Sequence, residues 1–125
     1  MSNSIIYDKA ENFAVRIVNL WKYLRTKNEY EMSLQLKRSG TSIGANVAEA
    51  LCGSSNRDFI NKLSIAQKEC RETLYWLRLL LRTGYLTDEE FSSIKADHEE
   101  LSKILTRIIK SCKEKQVREE TQTKS

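Results

Sequence analysis

Between Asn56 and Tyr85, apolar side chains recur at Phe59, Leu63, Ala66, Cys70, Leu74, Leu77 and Leu81, with steps of three or four residues. That spacing is the rhythm of one buried stripe on a long helix, predicted over about 56–83. From Leu74 to Leu81 the chain reads LYWLRLLL, and Arg78 alone is polar. The second half of this helix is therefore apolar almost all round and needs cover on several sides. Tyr75, Trp76, Leu79 and Leu80 exceed what one small bundle covers, so they are the predicted contact with another subunit.

The remaining segments read as partners for that helix. Over about 5–26, Ile6, Ala10, Phe13, Ile17, Leu20, Trp21 and Leu24 share one arc of a helical wheel; Ser4 is its expected cap and Thr26-Lys27-Asn28 its end. Over about 29–51 a thinner stripe of Met32, Leu36, Ser39, Ile43, Val47 and Ala50 runs beside Gly40, Gly44 and Ala48. Small residues at every fourth position let a neighbouring backbone approach, and a kink or a tight helix contact is expected near Gly44. Gly53 and Ser55 or Asn56 punctuate the next turn, and Gly84 stops the third helix. Thr87 and Glu90 form a capping box that opens a fourth helix over about 88–113. Its seam of Phe91, Ile94, His98, Leu101, Leu105, Ile108 and Cys112 keeps a heptad spacing. Residues 114–125 are nearly devoid of apolar side chains and are expected to fray or be disordered. Four helices joined by short turns make an all-α, antiparallel up-down four-helix bundle the economical topology.

Composition agrees with this reading: hydrophobic residues make up 40% and charged residues 30% of 125 residues, with four glycines and no proline. Three widely spaced cysteines without a CxxC argue against a disulfide framework and fit a reducing compartment. No basic leader precedes an apolar core and no apolar run reaches membrane-spanning length, so a cytoplasmic protein without a membrane partner is expected. The net charge of +4 is unevenly spread: residues 1–85 carry 13 Lys or Arg against 8 Asp or Glu, residues 86–125 carry 8 against 9. A mild basic excess permits contact with nucleic acid or acidic partners, and ordinary solvated faces explain it equally well.

Candidate chemistry is sparse. Structural zinc draws its ligands in closely spaced pairs, and Cys52, Cys70, His98 and Cys112 contain none, so neither a metal nor another cofactor is expected. His98 lies in the apolar seam and reads as a hydrogen-bonded core histidine rather than a base, which points away from an enzyme. Asn46 and Glu49, and likewise Glu69 and Glu72, sit one turn apart. They read as a structural polar network across the second and third helices, or as partners of bases such as Arg38. The basic residues are more informative. Arg71, Tyr75, Arg78 and Arg82 share one face, and neither these three arginines nor Arg107 has an acid three or four residues away. Unpaired arginines beside an aromatic suit phosphates and stacked bases. Arg25, Lys27, Lys37 and Arg38, gathered by the first turn, form a second patch.

The runs SIGANVAEA (residues 42–50) and DFINKLSIAQKECRETLYWLRLLLRTGYL (residues 58–86) resemble signatures of the bacterial four-helix-bundle proteins associated with intervening sequences in 23S ribosomal RNA genes. The resemblance spans about residues 8–112. Many members carry proline where Gly44 stands and glycine where Ala50 stands, so local helix geometry is expected to differ there. The resemblance implies a homopentamer with a basic surface, nucleic-acid contact and no established enzymatic activity. The accessory protein of diversity-generating retroelements is similar in architecture, a positively charged pentamer that works with a reverse transcriptase. Two functions follow as expectations. One is a non-enzymatic oligomeric scaffold that binds RNA or DNA through phosphates. The alternative is a protein-interaction adaptor, for example for a reverse transcriptase or a ribosome-associated partner, without direct nucleic-acid contact.

Overall fold

The computed structural model describes the backbone of residues 2–124 and the side chains of residues 5–122. It contains four helices in sequence, α1 (Ser2–Thr26), α2 (Glu31–Leu51), α3 (Asn56–Arg82) and α4 (Asp88–Lys124). Cross-helix pairs give their directions. Ile17 meets Gly40 while Ala10 meets Gly44; Ser39 meets Thr73 while Glu49 meets Lys62; Arg16 meets Asp97 while Lys9 meets Glu100. In each pair the number rises on one helix as it falls on the other, so successive neighbours are antiparallel. Helix α2 packs between α1 and α3, and α4 closes the square against α3 and, more thinly, α1.

Local chemistry explains the helix ends. Asn28 adopts a left-handed φ of 62°, and the Glu29 and Asn28 amides return to the Leu24 and Arg25 carbonyls at 3.0 Å each. Gly84 repeats the device with φ 86°, its neighbour Tyr85 donating to the Leu80 carbonyl at 2.9 Å. Both turns are left-handed C-terminal caps that satisfy otherwise orphaned carbonyls. Ser55 caps α3 by accepting from the Asp58 amide at 3.1 Å. The capping box forms as expected, with Thr87 N to Glu90 Oε1 at 2.8 Å and Glu90 N to Thr87 Oγ1 at 3.1 Å. Glu29, read from sequence as the first residue of the second helix, instead precedes it. Its carboxylate accepts from the Ser33 and Met32 amides at 2.6 and 3.2 Å, placing negative charge at the start of α2. Helix α1 begins at Ser2, ahead of the expected cap Ser4, whose side chain lies outside the described residues.

The core joins Ile6, Phe13, Ile17, Leu36, Ile43, Leu63, Leu77 and Leu105 among others, all essentially inaccessible to solvent. Three details depart from expectation. First, α3 is rotated: Ile60, Thr73 and Leu80 are buried beside Leu63, Ala66, Cys70 and Leu77, while Phe59, Leu74 and Leu81 are only half-buried. Thr73 tolerates this because its hydroxyl has buried acceptors, the Glu69 carbonyl at 2.8 Å and Ser39 Oγ at 3.0 Å. Second, the tight contact is at Gly40. A Cβ there would lie 2.8 Å from both Cγ1 and Cγ2 of Ile17, whereas one at Gly44 would meet Ala10 at an ordinary 3.5 Å, and α2 runs unbroken through both. Third, α4 continues to Lys124 through the stretch expected to fray. No glycine or proline follows Gly84, and Lys, Glu, Gln and Arg are strong helix formers, so backbone propensity extends the helix past its last buried residue, Ile109.

Candidate nucleic-acid interface

The outer side of α3 carries the first basic patch. Arg71, Tyr75, Arg78 and Arg82 are exposed, Tyr75 by 55%. Among the described residues, none of these three arginines enters an ion pair or a side-chain hydrogen bond; the cross-helix pairs instead join Lys9 with Glu100, Arg16 with Asp97 and Lys62 with Glu49. Their charge faces solvent without an internal counter-charge. Tyr75 meets Trp76 edge to face at 5.1 Å, and the Trp76 indole reaches Glu72 at 3.5 Å.

The second patch lies where α1 turns into α2. The Arg25 guanidinium sits 5.2 Å from the ring centroids of both Trp21 and Tyr30, and the Lys37 ammonium 3.7 Å from that of Trp21. Lys27 covers Tyr23 at 5.6 Å. Arg38 is exposed on the outer side of α2, where its carbonyl accepts from Ser42 Oγ at 2.6 Å. The structure thus brings Arg25 and Lys37 together over Trp21, which the sequence pattern assigns to the core, and places Tyr30, which that pattern does not single out, beside Arg25. The signal was present: Trp21 and Arg25 are four residues apart, hence adjacent on one helical face.

Arg107 is exposed in a separate shallow groove formed with Ser55, Asn56, Phe59, Ile108, Ser111 and Cys112. Among the described residues, the four polar residues read as a network or as partners of bases make no bond to one another, and one of them, Glu49, pairs with a base across α2 and α3. Asn46 Nδ2 donates within α2 to the Ser42 carbonyl at 2.8 Å, Glu49 pairs across to Lys62 at 3.6 Å, and Glu72 faces Trp76. Partial burial, followed by the neighbouring Glu72 charge, raises the Glu69 carboxyl above its usual value. Of the residues assigned to a subunit contact, Tyr75 is exposed and Trp76 and Leu79 are half-buried. Leu80 must be withdrawn: it is fully buried, because the rotation of α3 turns it into the core.

His98 is buried, with Nε2 2.7 Å from the Cys70 carbonyl. A carbonyl only accepts, so Nε2 carries the proton, and the ring packs against Phe13 as a core group. Its Nδ1 is buried without a partner. Burial pushes the Cys70 thiol up to about 12. Among the described residues no three His, Cys, Asp or Glu side chains cluster closely enough to hold a metal ion, and no helix is long and apolar enough to cross a membrane.

Residues 2–107 match the model of the family described as 23S rRNA-intervening sequence protein. The chain belongs to that family. A crystal structure of a protein of unknown function from the S23 ribosomal protein family of Bacteroides thetaiotaomicron is 54% identical to it, with 88% of this chain and 99% of that chain covered and a TM-score of 0.86. No curated protein matches. The family resemblance seen in residues 42–50 and 58–86 therefore holds at the level of the whole bundle.

Proposed function

We propose that this member of the family is a non-enzymatic scaffold that assembles with copies of itself and binds RNA or DNA through its basic surface. One observation carries the reading: Arg71, Arg78 and Arg82 stand exposed on one side of α3 with no acidic partner among the described residues. Three positive charges along one helical face suit contact with a phosphate backbone, and Tyr75 between them offers a ring to a base. Self-association adds avidity, since each copy in a closed ring repeats the patch. The half-covered Trp76 and Leu79 supply apolar area for that association, and a homopentamer is the state the family resemblance favours.

The test is retention of RNA and DNA by the purified oligomer across a salt series. Affinity falls steeply with salt, and replacing Arg71, Arg78 and Arg82 by glutamine lowers the slope by roughly one per lost phosphate contact. Absence of binding at low salt refutes the reading. The same exposed apolar area on α3 suits a protein partner, and an adaptor role is the second reading. It requires recovery of a specific protein that survives nuclease treatment.

A further inference from the structure

The cluster at the α1–α2 turn is built differently from the arginine row on α3. The Arg25 guanidinium meets two rings, 5.2 Å from each centroid, and Lys37 rests 3.7 Å over the Trp21 ring. Tyr30 is itself fixed: its hydroxyl donates to Asn28 Oδ1 at 3.0 Å, and Asn28 occupies the left-handed position that shapes the turn. Even so, Tyr30 remains 50% exposed. No carboxylate among the described residues pairs with Arg25 or Lys37, and the acid nearest Arg25 in sequence, Glu29, has its carboxylate committed to the Met32 and Ser33 amides. The Trp21 indole Nε1 beneath the cluster is buried without an acceptor.

We infer that this turn is a preformed subsite for one nucleotide of an unpaired strand, an inference that rests on the nucleic-acid reading above. A guanidinium that meets only ring faces, and no carboxylate, keeps its N–H donors for a phosphate. Because the rings already restrict Arg25, and Asn28 restricts Tyr30, little side-chain freedom remains to be lost on binding. The exposed area of Tyr30 takes a base, as stacking platforms for single strands do. In a duplex the base faces are already stacked on one another, so a fixed, half-exposed ring beside fixed cations selects unpaired bases. The site also lies level with Arg82, the end of the α3 row. Tyr30 is nine residues before Ser39, and Arg82 nine residues after Thr73, the partner of Ser39, so both stand about 13 Å along the bundle axis from that pair. A strand laid across the turn end from Tyr30 runs at the height of Arg82.

The experiment uses the full chain and fluorescence anisotropy with dye-labelled oligouridine or oligothymidine of about 12 nucleotides, each compared with its duplex with the complementary strand. The wild type binds the single strand about ten-fold more tightly than the duplex. Tyr30→Ala removes this preference without altering duplex affinity, Arg25→Gln weakens single-strand binding, and unchanged far-ultraviolet circular dichroism establishes that both variants fold. The RNA and DNA arms identify which sugar the strand carries. Equal affinity of the wild type for single strand and duplex, or a preference that persists in Tyr30→Ala, overturns the subsite and leaves the proposed function standing. Failure of both single strand and duplex to bind at low salt removes the proposed function with it.

Discussion

Gly40 and Gly44 look interchangeable in the sequence, yet they respond oppositely to the same small perturbation, one added methyl group. Replacing glycine by alanine inside a helix stabilises by about 1 kcal/mol through backbone entropy. At Gly44 nothing opposes that gain, because the new Cβ meets Ala10 at 3.5–3.8 Å. At Gly40 the Cβ arrives 2.8 Å from two Ile17 carbons and 3.2 Å from Ile17 Cβ. Ile17 is fully buried and β-branched, so it has no alternative rotamer to move into, and overpacking of this kind costs about 1–3 kcal/mol. The propensity gain is common to both variants. Gly40→Ala is therefore less stable than Gly44→Ala by about 1–3 kcal/mol, which corresponds to a difference in Tm of roughly 4–12 °C for a chain of this size. Urea denaturation followed by circular dichroism measures the gap. A cycle with Ile17→Ala adds a check, since that truncation costs less in the Gly40→Ala background than in the wild type. Equal stability of the two alanine variants would falsify the close approach of α1 to α2 at Gly40.

Two further predictions concern titratable groups. In the native protein a thiol reagent modifies the exposed Cys52 first and Cys112 more slowly, whereas Cys70, buried and with its thiol pushed up to about 12, reacts only after unfolding; mass spectrometry of time points resolves the order, and early labelling of Cys70 would contradict its burial. Because the folded Glu69 carboxyl titrates above its ordinary value, the folded state holds that proton more tightly than the unfolded chain, so this group favours folding at low pH and the advantage is lost as pH rises through the carboxylate range. Glu69→Gln accordingly stabilises near neutral pH and not below that range, which paired denaturation curves detect.

The parts of the fold legible in the sequence are those governed by local chemistry. Ser55, Gly84 and the Thr87–Glu90 box mark helix ends because capping depends on residues a few positions apart. The orientation of α3 was not legible to the same degree. Where leucines surround the axis, adjacent stripes score alike, and the deciding feature is a polar residue, Thr73, whose hydroxyl is satisfied by the Glu69 carbonyl and by Ser39 on another helix. That partner becomes visible only once α2 and α3 are aligned, and Leu80 moved from the predicted outer surface to the core for this reason. Choosing between Gly40 and Gly44 likewise needed to know where Ile17 falls. At the site, exposure of Arg71, Arg78 and Arg82 followed from their spacing. The contact of Arg25 with Trp21 and Tyr30 depended on a turn shaped by one left-handed asparagine.

Because the helices alternate in direction and are even in number, Ser2 and Lys124 leave the bundle at the same end, and both connecting turns that flank Arg25 and Arg82 occupy the other. This polarity makes the molecule well suited to tethering. An affinity handle or surface anchor joined to either terminus holds the protein from behind, with the cation-bearing end directed into solution, so immobilised formats preserve access to it.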